Sequence, residues 1–315
     1  MRHALLAAAF VLAAGAAGTA GPAFAQTFPS KPITIVVPFS PGGGADTLIR
    51  TLQPRLAALW GQAVVVDNKP GASGHIGADI VAKAPADGHT LLMASTAAIS
   101  ERNVDRFAPL ALVSAEAYVV VVNAGVPAKN IAELVALAKA RPDSLHFGSS
   151  GIGAASHLSG ELFKSRAGVK LVHVPYKGTG QALTDLLAGH IELMFAPVQT
   201  VLPQLAAGKI RALAVTGSKP IEALPGVPTV TASGVPGYQA LGWFGLLAPA
   251  GTPTAVLKRL SDDVGGLLAQ PEVRKELVAK GADPGTLSAA EFGLFVRQEQ
   301  QRWTQLIKDA GIVLE

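Results

Sequence analysis

Short apolar runs alternate along the chain with longer amphipathic segments. The runs are rich in β-branched residues, as buried strands are, and apolar positions recur at helical spacing in segments such as Ile131–Ala140 and Gly180–Gly189. This alternation predicts an α/β fold of mostly parallel sheets covered by helices. Further helices are predicted at Thr254–Ala269, Glu272–Gly281 and Ala289–Ala310. The predicted strands are Ile33–Val37, Ala63–Val66, Thr90–Ala94, Tyr118–Val122, Leu145–Gly148, Val172–Val174, Ile191–Ala196, Ile210–Val215 and Gly242–Leu247.

Two loops rich in proline and glycine divide the chain. Gly125–Pro127 follows the apolar segment Tyr118–Asn123, and a second such loop follows Gly242–Leu247. If both strands cross between domains, the first domain is discontinuous, with residues 26–123 and 249–315, and residues 124–248 form the second. The chain is long enough for two domains that each bury a core.

The first 25 residues have the features of a cleavable export signal. Arg2 precedes an apolar run, Ala4–Ala14, and the segment ends in Ala23-Phe24-Ala25, an A-x-A cleavage site. The run is too short to span a membrane. We therefore predict a signal peptide at residues 1–25, cleavage after Ala25 and a mature protein in the periplasm. Because the chain contains no cysteine, neither a lipid anchor at the cleavage point nor disulfides are expected.

Composition and charge exclude several function classes. Hydrophobic residues make up 49% of the 315 residues and charged residues 15%, which is typical of a well-packed globular protein. The formal net charge of +4 comes from scattered lysines and arginines, and without a basic run no nucleic-acid partner is expected. The seven histidines are dispersed without metal-ligand spacing, so we predict neither a metal site nor a cofactor.

Residues 33–46 carry the strongest signal for function. A β-branched strand ends at a proline and is followed by Phe39, Ser40, the triplet Gly42–Gly44 and apolar residues at helical spacing. Glycines let a turn bring its N–H groups close to a ligand, and a helix N-terminus adds the positive end of its dipole. This strand–glycine turn–helix unit predicts a site that holds an anion without reacting with it. Asp46 has two interpretations, a contact to a ligand's amino group or a helix cap.

A second strand–glycine turn–helix unit lies in the other predicted domain. The strand Leu145–Gly148 is followed by the segment Ser149–Ala154, which contains two serines and two glycines, and then by a helix. Serine hydroxyls in such a turn can cap the helix and can also donate to a carboxylate. Two units on either side of a hinge predict a cleft that holds an anion from both sides.

Other interpretations of the second unit fit the sequence less well. Gly151–Ser156 has the pattern G-x-G-x-x-S, which lacks the last glycine of the dinucleotide fingerprint. Ser150 lacks the G-x-S-x-G frame of a hydrolase nucleophile, because position 152 is isoleucine. A periplasmic hydrolase that uses Ser150 or Ser95 stays an alternative. So does a sensor or partner-binding protein whose closed form is read by a membrane kinase.

Further motifs follow one another in a fixed order along the chain. They are Lys31–Ile33 leading into Pro38–Asp46, Val66–Gly74, Asp87–Leu92, His157–Phe163, His173–Gly178, Leu224–Thr229 and Trp243–Leu246. Because these motifs occur in this order from the signal to the C-terminus, the chain resembles the solute receptors of tripartite tricarboxylate transporters, also known as the Bug family.

The resemblance implies a two-lobed periplasmic binding protein of type II-like, Venus flytrap architecture, in which each lobe is a mostly parallel sheet flanked by helices. One carboxylate of a small ligand would lie against Ser149–Ala154, and the other end of the ligand would reach Phe39–Asp46. Ser95 and Thr96 would add contacts. The predicted ligand-binding residues are Phe39, Ser40, Gly42, Gly43, Gly44, Asp46, Ser95, Thr96, Ser149, Ser150, Gly151, Gly153, Ala154 and Pro197.

The same resemblance implies a receptor without catalytic residues, which delivers its solute to a membrane permease of one large and one small subunit. We expect a monomer. Two departures from the family pattern leave the choice of carboxylate open. Relatives often carry a serine or threonine at the position of Ala154, and the segment Ala97–Phe107 is shorter than usual. Some receptors of this family lack a dedicated permease, so a sensing role stays open.

Overall fold

The computed structural model describes residues 28–309 and residue 311, so the predicted signal peptide, residues 1–25, lies outside the described residues. Within the described part, no helix combines the length and the apolar character that a membrane span requires. The strands are β1 (Ile33–Val37), β2 (Val64–Asn68), β3 (Thr90–Ser95), β4 (Phe107–Asn123), β5 (His146–Ser149), β6 (Val172–Pro175), β7 (Leu193–Pro197), β8 (Ile210–Val215) and β9 (Leu241–Pro249). The helices are α1 (Gly44–Trp60), α2 (His75–Ala82), α3 (Ile131–Ala140), α4 (Ala155–Ala167), α5 (Thr179–Ala188), α6 (Val198–Ala206), α7 (Thr254–Ala269), α8 (Pro271–Ala279) and α9 (Ala289–Asp309).

The first lobe is built around the strand order β2-β1-β3-β9-β4. Strand β1 pairs parallel with β2 and β3, whereas β9 pairs antiparallel with β3 and β4. The apolar face of α1, including Leu48 and Leu52, is buried against Ile35 of β1 and Met93 of β3. Helix α7 joins the same core through Leu260. Burial of these aliphatic side chains fixes α1 and its N-terminus relative to the sheet.

The second lobe consists of residues 118–240. Its strand order is β4-β7-β5-β6, and β8 pairs with the other edge of β4. Phe147 of β5, Phe195 of β7 and Phe163 of α4 are completely buried in one core cluster. The ring centroids of Phe147 and Phe195 lie 6.0 Å apart in an edge-on arrangement, which is favourable for aromatic pairs. This cluster fixes the start of α4 relative to β5.

Strand β4 belongs to both lobes. Residues Phe107–Ala117 pair with β9, and residues Tyr118–Asn123 pair with β7 and β8. The return crossing lies between Ala240, whose N–H donates to the carbonyl of Thr216, and Leu241, which begins β9. Both crossings therefore lie earlier in the chain than the predicted boundaries at residues 123 and 248. The chain passes from one lobe to the other where the strand changes its pairing partner. The proline-glycine loops mark only the ends of the strands.

Helix α9 packs on both lobes. Phe292 and Val296 are buried with Trp243 against the first lobe, and Trp303 joins the core cluster of the second lobe. The predicted assignment of residues 249–315 to the first domain therefore does not describe the end of α9. This helix is a third connection between the lobes, besides β4 and the segment that leads into β9.

The α/β fold class agrees with the prediction, and the sheets are mixed. Each lobe contains parallel pairs, such as β1 with β3 and β5 with β6, and antiparallel pairs that involve β4 or β9. The antiparallel pairs arise because the crossing strands run against the strands of the βαβ units. The parallel strands align their carboxyl ends at one edge of each sheet, and this edge faces the cleft.

The two lobes touch across the cleft, so the structure is closed. The N–H of Ser40 in the first lobe donates to the carbonyl of Lys177 in the second lobe at 3.0 Å. A Cβ atom at Gly180 would lie 2.3 Å from the carbonyl oxygen of Pro41. A residue without a side chain is therefore required at Gly180 for the lobes to approach this closely.

The core of the second lobe makes a testable prediction at Gly160, in the interior of α4. Alanine normally stabilises a helix interior by roughly 0.5–1 kcal/mol relative to glycine. A Cβ atom at Gly160, however, would lie 2.3 Å from the buried ring of Phe147. We expect Gly160→Ala to lower the free energy of unfolding by about 1–3 kcal/mol, measured by urea denaturation.

The matched control is Gly266→Ala in α7, where a Cβ atom would meet nothing within 4 Å. This substitution should raise the free energy of unfolding by up to about 1 kcal/mol. If both variants were equally stabilised, the packing of Phe147 against α4 would be incorrect.

Candidate functional site

A cavity of about 20 Å³, the inner cavity, lies between the lobes at the point where four helices begin. Gly44 of α1, Ala155 of α4, Thr179 of α5 and Pro197, which precedes α6, all line it. Each of these helices directly follows a strand of its own lobe, so its N-terminus lies at the carboxyl edge of that sheet. The lining residues are Phe39, Gly43, Gly44, Ala45, Ser95, Thr96, Tyr118, Ser150, Ala154, Ala155, Thr179, Pro197 and Phe244.

The inner cavity is electropositive without a basic side chain. Among the described residues, its wall contains no lysine, arginine, histidine, aspartate or glutamate. Each helix N-terminus carries a partial positive charge of roughly half an elementary charge. Burial, and to a smaller extent the neighbouring Glu116, raise the pKa of Tyr118 above its ordinary range, so its phenol is neutral. The favourable potential for an anion therefore comes from helix dipoles and N–H groups.

The turn before α4 uses several of its own N–H groups internally. The N–H of Ser150 donates to Ser156 Oγ at 3.0 Å. The N–H of Gly153 donates to His157 Nδ1 at 3.1 Å. Helix geometry leaves the N–H groups of the first turn, which begins at Ala155, without intrahelical acceptors. The donors that this unit offers to an anion are therefore those of the first turn of α4 and the hydroxyl groups beside it.

Two stacked histidines support this turn from behind. The rings of His157 and His173 lie 4.0 Å apart. His173 Nε2 is 2.6 Å from Ser149 Oγ, which also accepts from the N–H of Gly151 at 3.1 Å. Burial lowers the pKa of His157 to about 4 and that of His173 to about 3, and the nearby Lys164 lowers both. Both rings are neutral at pH 7, as His157 must be in order to accept a hydrogen bond at Nδ1.

Asp46 lies in the first turn of α1, reaches back to the turn before the helix and is absent from the wall of the inner cavity. Its Oδ2 accepts from the N–H of Gly42 at 3.0 Å. Its Oδ1 accepts from Arg50 Nε at 2.8 Å and from Asn68 Nδ2 at 3.0 Å. The carboxylate is buried and fully engaged in these contacts. These contacts tie the carboxylate to the glycine turn and to β2 and include no backbone N–H of α1, whose N-cap residue is Gly43. The contact to a ligand's amino group stays a prediction.

The structure separates the other predicted site residues into four groups. Gly42, Ser149 and Gly151 are absent from the cavity wall. Gly153 lines a second space of about 750 Å³, the outer chamber, whose wall is formed mainly by α2, residues 96–106 and the end of α9. Ser40 lies at the lobe contact, and its buried Oγ has no hydrogen-bond partner among the described residues. The residues that line the inner cavity are Phe39, Gly43, Gly44, Ser95, Thr96, Ser150, Ala154 and Pro197.

The sequence analysis missed five lining residues, which are Ala45, Tyr118, Ala155, Thr179 and Phe244. Thr179 could have been recognised from the sequence. Gly178 and Gly180 flank it after the predicted strand Val172–Val174, so the segment resembles the two strand–glycine turn–helix units. No local sequence pattern indicates Tyr118 or Phe244, since these residues lie on the crossing strands β4 and β9, which are placed beside the cavity by pairing with strands distant in sequence.

Comparison with known proteins agrees with this geometry. Residues 48–312 match the model for the tripartite tricarboxylate transporter family receptor. The chain belongs to this family. Protein BugT of Bordetella pertussis is 34% identical over 310 residues, which cover 95% of both chains. The structure of Rpa4515 from R. palustris with adipate has a TM-score of 0.86 and 36% identity, over 90% of this chain and 98% of that one. The structure of MatC from Rhodopseudomonas palustris with bound malate has a TM-score of 0.82 and 31% identity, over 89% and 100%.

These matches confirm the family and the fold that the sequence predicted. The receptor is a periplasmic binding protein of the Bug type, and its α/β architecture is shared with solved members at TM-scores above 0.8. The family-model match begins at residue 48, so it includes the lining residues from Ser95 onward but not Phe39 and residues 43–45.

The neutral histidines of the receptor predict how its stability responds to acid. In the unfolded chain the pKa of a histidine is near 6.5, whereas that of His157 is about 4 in the folded protein. Between these values the unfolded state binds the proton and the folded state does not, so the free energy of unfolding falls as the pH decreases from 6.5 towards 4. His157→Gln should reduce this slope by up to about 1.4 kcal/mol per pH unit, measured by urea denaturation at several pH values.

His75→Gln is the control for this experiment, because the side chain of His75 is exposed and forms no ion pair or hydrogen bond with other described residues. It should leave the slope of the wild-type receptor unchanged. An identical slope in His157→Gln and His75→Gln would show that folding does not lower the pKa of His157.

Proposed function

We propose that this receptor binds a small carboxylate in the inner cavity and delivers it to a membrane permease of one large and one small subunit. The observation that carries this proposal is the convergence of four helix N-termini on a cavity without charged side chains. A carboxylate supplies both the negative charge that these ends favour and acceptors for the N–H groups of the first turns. The adipate and malate held by Rpa4515 and MatC support the same ligand class.

Hydroxyl groups complete the proposed carboxylate site. Ser150 Oγ lies 3.1 Å from Ser156 Oγ, and Thr179 Oγ1 lies 3.4 Å from Thr200 Oγ1. Thr96 Oγ1 is buried without a partner among the described residues. Hydrogen bonds to an ionised carboxylate are roughly twice as strong as those between neutral groups. The hydroxyls of Ser150 and Thr179 therefore gain more from a carboxylate than from their present contacts.

Closure is coupled to binding because each lobe contributes part of the site. Gly43 and Gly44 come from the first lobe, and Ala155 and Thr179 come from the second. A ligand that contacts both sides binds the closed state more tightly and shifts the population towards it. When no anion is bound, the positive helix ends oppose closure, since like partial charges approach one another.

We infer that the site binds its ligand without chemical conversion. Among the described residues, no histidine forms a hydrogen bond with Ser150 or Ser95. Ser149 does contact a histidine, but it is completely buried, and its hydroxyl is held between His173 and Gly151. A nucleophile needs both a base and access to substrate, and these serines do not combine the two.

Export and oligomeric state form part of the same proposal. The family consists of periplasmic binding receptors, and Ala23-Phe24-Ala25 has the form of a cleavage site. We propose cleavage after Ala25 and a monomeric mature receptor. Mass spectrometry of the exported protein and its elution volume in size-exclusion chromatography test the two statements.

The first experiment is a thermal unfolding screen of refolded, ligand-free receptor with malate, succinate and adipate. At least one acid should raise the melting temperature by a few degrees, because a ligand at 100 times its Kd adds about 2.7 kcal/mol of stability. Malamide, succinamide and adipamide are the controls, since they keep the size of the acids but lose the charge. A rise with the amides equal to that with the acids, or no rise with any acid, would contradict the carboxylate proposal.

The second experiment tests whether the closed structure is the ligand-binding state. In Gly180→Ala the new Cβ atom would lie 2.3 Å from the carbonyl oxygen of Pro41 in the other lobe, whereas α5 itself tolerates alanine well. We expect the Kd for the tightest acid of the screen to rise by roughly tenfold or more, measured by isothermal titration calorimetry. Gly265→Ala in α7 is the control, because a Cβ atom there would meet nothing within 4 Å. Equal affinities of the two variants would refute this role of the closed state.

A further inference from the structure

The shape of the turn before α4 matters for the cavity and for closure at the same time. Ser150 and Ala154 of this turn line the inner cavity. Gly151 lies against the first lobe, because a Cβ atom at this position would be 2.6 Å from Ser73 Oγ. A change in the shape of the turn therefore alters both the wall of the inner cavity and the contact between the lobes.

The residues of the turn do not determine its shape by themselves. Gly151 and Gly153 adopt φ values of +129° and +76°. Glycine reaches these values without strain, but it also populates many others, so ordering two such residues costs more conformational entropy than ordering an ordinary turn. Hydrogen bonds from residues outside the turn are needed to select this one conformation.

His157 provides one of these hydrogen bonds. Its Nδ1 accepts from the backbone N–H of Gly153 at 3.1 Å. Because a backbone N–H can only donate, Nδ1 carries no proton, and the proton of the neutral ring lies on Nε2. The ring is buried, so bulk water does not replace it as the acceptor. The lone pair of one ring nitrogen thus fixes the backbone of Gly153.

Aromatic packing holds this ring in position. The ring of His157, in the first turn of α4, lies 4.0 Å from the ring of His173 on β6. The ring of Phe147 on β5 lies 4.9 Å from that of His173 and 6.4 Å from that of His157. Three elements of the second lobe therefore restrict the rotation of the His157 ring and keep Nδ1 directed at the turn.

The other glycine of the turn is held through a serine. Ser149 Oγ accepts from the N–H of Gly151 at 3.1 Å and lies 2.6 Å from His173 Nε2. Ser149 is completely buried. Each glycine with a positive φ is therefore connected to one of the two stacked histidines, directly in one case and through a hydroxyl in the other.

The charged groups around His157 leave its ring neutral. Glu161 Oε1 lies 3.8 Å from His157 Nε2, which is too long for a hydrogen bond, and forms an ion pair with Lys164 at 2.8 Å. Burial, and then Lys164, lower the pKa of His157 to about 4. The group that faces the ring from β6 is His173. Protonation of His157 would place a second donor against the N–H of Gly153 and break this contact.

We propose that His157 is a positioning residue for ligand binding. Its unprotonated Nδ1 holds the turn before α4 in the shape that places Ser150 at the inner cavity and Gly151 against the first lobe. The inference rests on the proposed function, in which the inner cavity is the carboxylate site. Because the N–H of Gly153 is engaged by the ring, His157 acts through the turn and does not contact the ligand.

The test compares two substitutions of similar size. His157→Asn can place its Oδ1 close to the position of Nδ1 and keeps an acceptor that does not titrate, whereas His157→Leu has the same branching without an acceptor. The affinities for malate, succinate and adipate are measured by isothermal titration calorimetry at pH 7. For each acid that binds the wild type, His157→Leu should raise the Kd by roughly tenfold, and His157→Asn should stay within about threefold.

Phe163→Leu is the control for a general loss of stability. Phe163 is completely buried in the same lobe, where its ring packs on Phe195 and Tyr238. This substitution should lower the melting temperature by a few degrees and leave the three affinities unchanged. An increase in Kd equal to that of His157→Leu would show that destabilisation of the lobe is sufficient, and would overturn the positioning role.

The pH dependence of binding separates positioning from packing. The titration of the acid itself cancels in the ratio of the wild-type Kd to the Kd of His157→Asn. At pH 4 about half of the wild-type receptor is protonated at His157, so this ratio should rise about twofold between pH 7 and pH 4. Long-range ¹H–¹⁵N spectra of the wild type should also show His157 with an unprotonated Nδ1. These two measurements decide the question if His157→Leu does not fold.

Several outcomes would overturn the positioning role while leaving the carboxylate site intact. They are an unchanged Kd in His157→Leu, equal losses in His157→Leu and His157→Asn, a ratio that does not change with pH, or a proton on Nδ1 in the folded receptor at pH 7. If no acid binds the wild type here or in the carboxylate screen, the proposed function fails, and the positioning role fails with it.

Discussion

The convergence of four helix N-termini is the constraint on which the rest of the cleft depends. Each first turn presents N–H groups that the helix itself cannot satisfy, and closure removes them from bulk water. Such groups need an acceptor, and four positive ends around one small cavity favour an anionic one. The closed state is therefore most stable with an anion in place. Recognition of the ligand and movement of the lobes follow from the same electrostatic requirement.

The crossing strand β4 connects the hinge to one of the helix N-termini. Glu116 lies on β4 next to the point where the strand changes lobes, and it accepts from Gln199 Nε2 at 2.6 Å and from Ser114 Oγ at 2.8 Å. Burial raises the pKa of Glu116 to about 7, although Gln199 and Ser114 oppose that rise, and Asp283 adds to it. Gln199 lies in the first turn of α6, so a buried side-chain network joins the hinge to one of the four helix ends.

Local patterns in the sequence were sufficient to find part of this site. The glycine turns at Gly42–Gly44 and Ser149–Ala154 could be recognised because strand, turn and helix are contiguous in the chain. What the turns do with their N–H groups could not be read from the sequence, since that depends on acceptors such as His157 Nδ1, whose position is set by the fold. The role of Asp46 was undecided for the same reason, because Asn68 reaches it from another strand. The crossings were misplaced because a proline-glycine loop marks the end of a strand, whereas a change of lobe depends on a pairing partner distant in sequence.

Affinity and specificity arise in different parts of the cleft. Backbone N–H groups and helix dipoles are supplied by nearly any sequence that adopts this fold, so the carboxylate site proposed for the inner cavity hardly distinguishes one acid from another. Side chains differ more freely than backbone groups, and those nearest the inner cavity lie in the outer chamber, in the segment between Ala97 and Arg106 and on α9. These segments are loops or the outer face of a terminal helix, so substitutions there leave the cores of both lobes intact. Because α9 packs on both lobes, a ligand that engages this helix gains contacts that depend on closure, and such contacts can set affinity as well as selectivity.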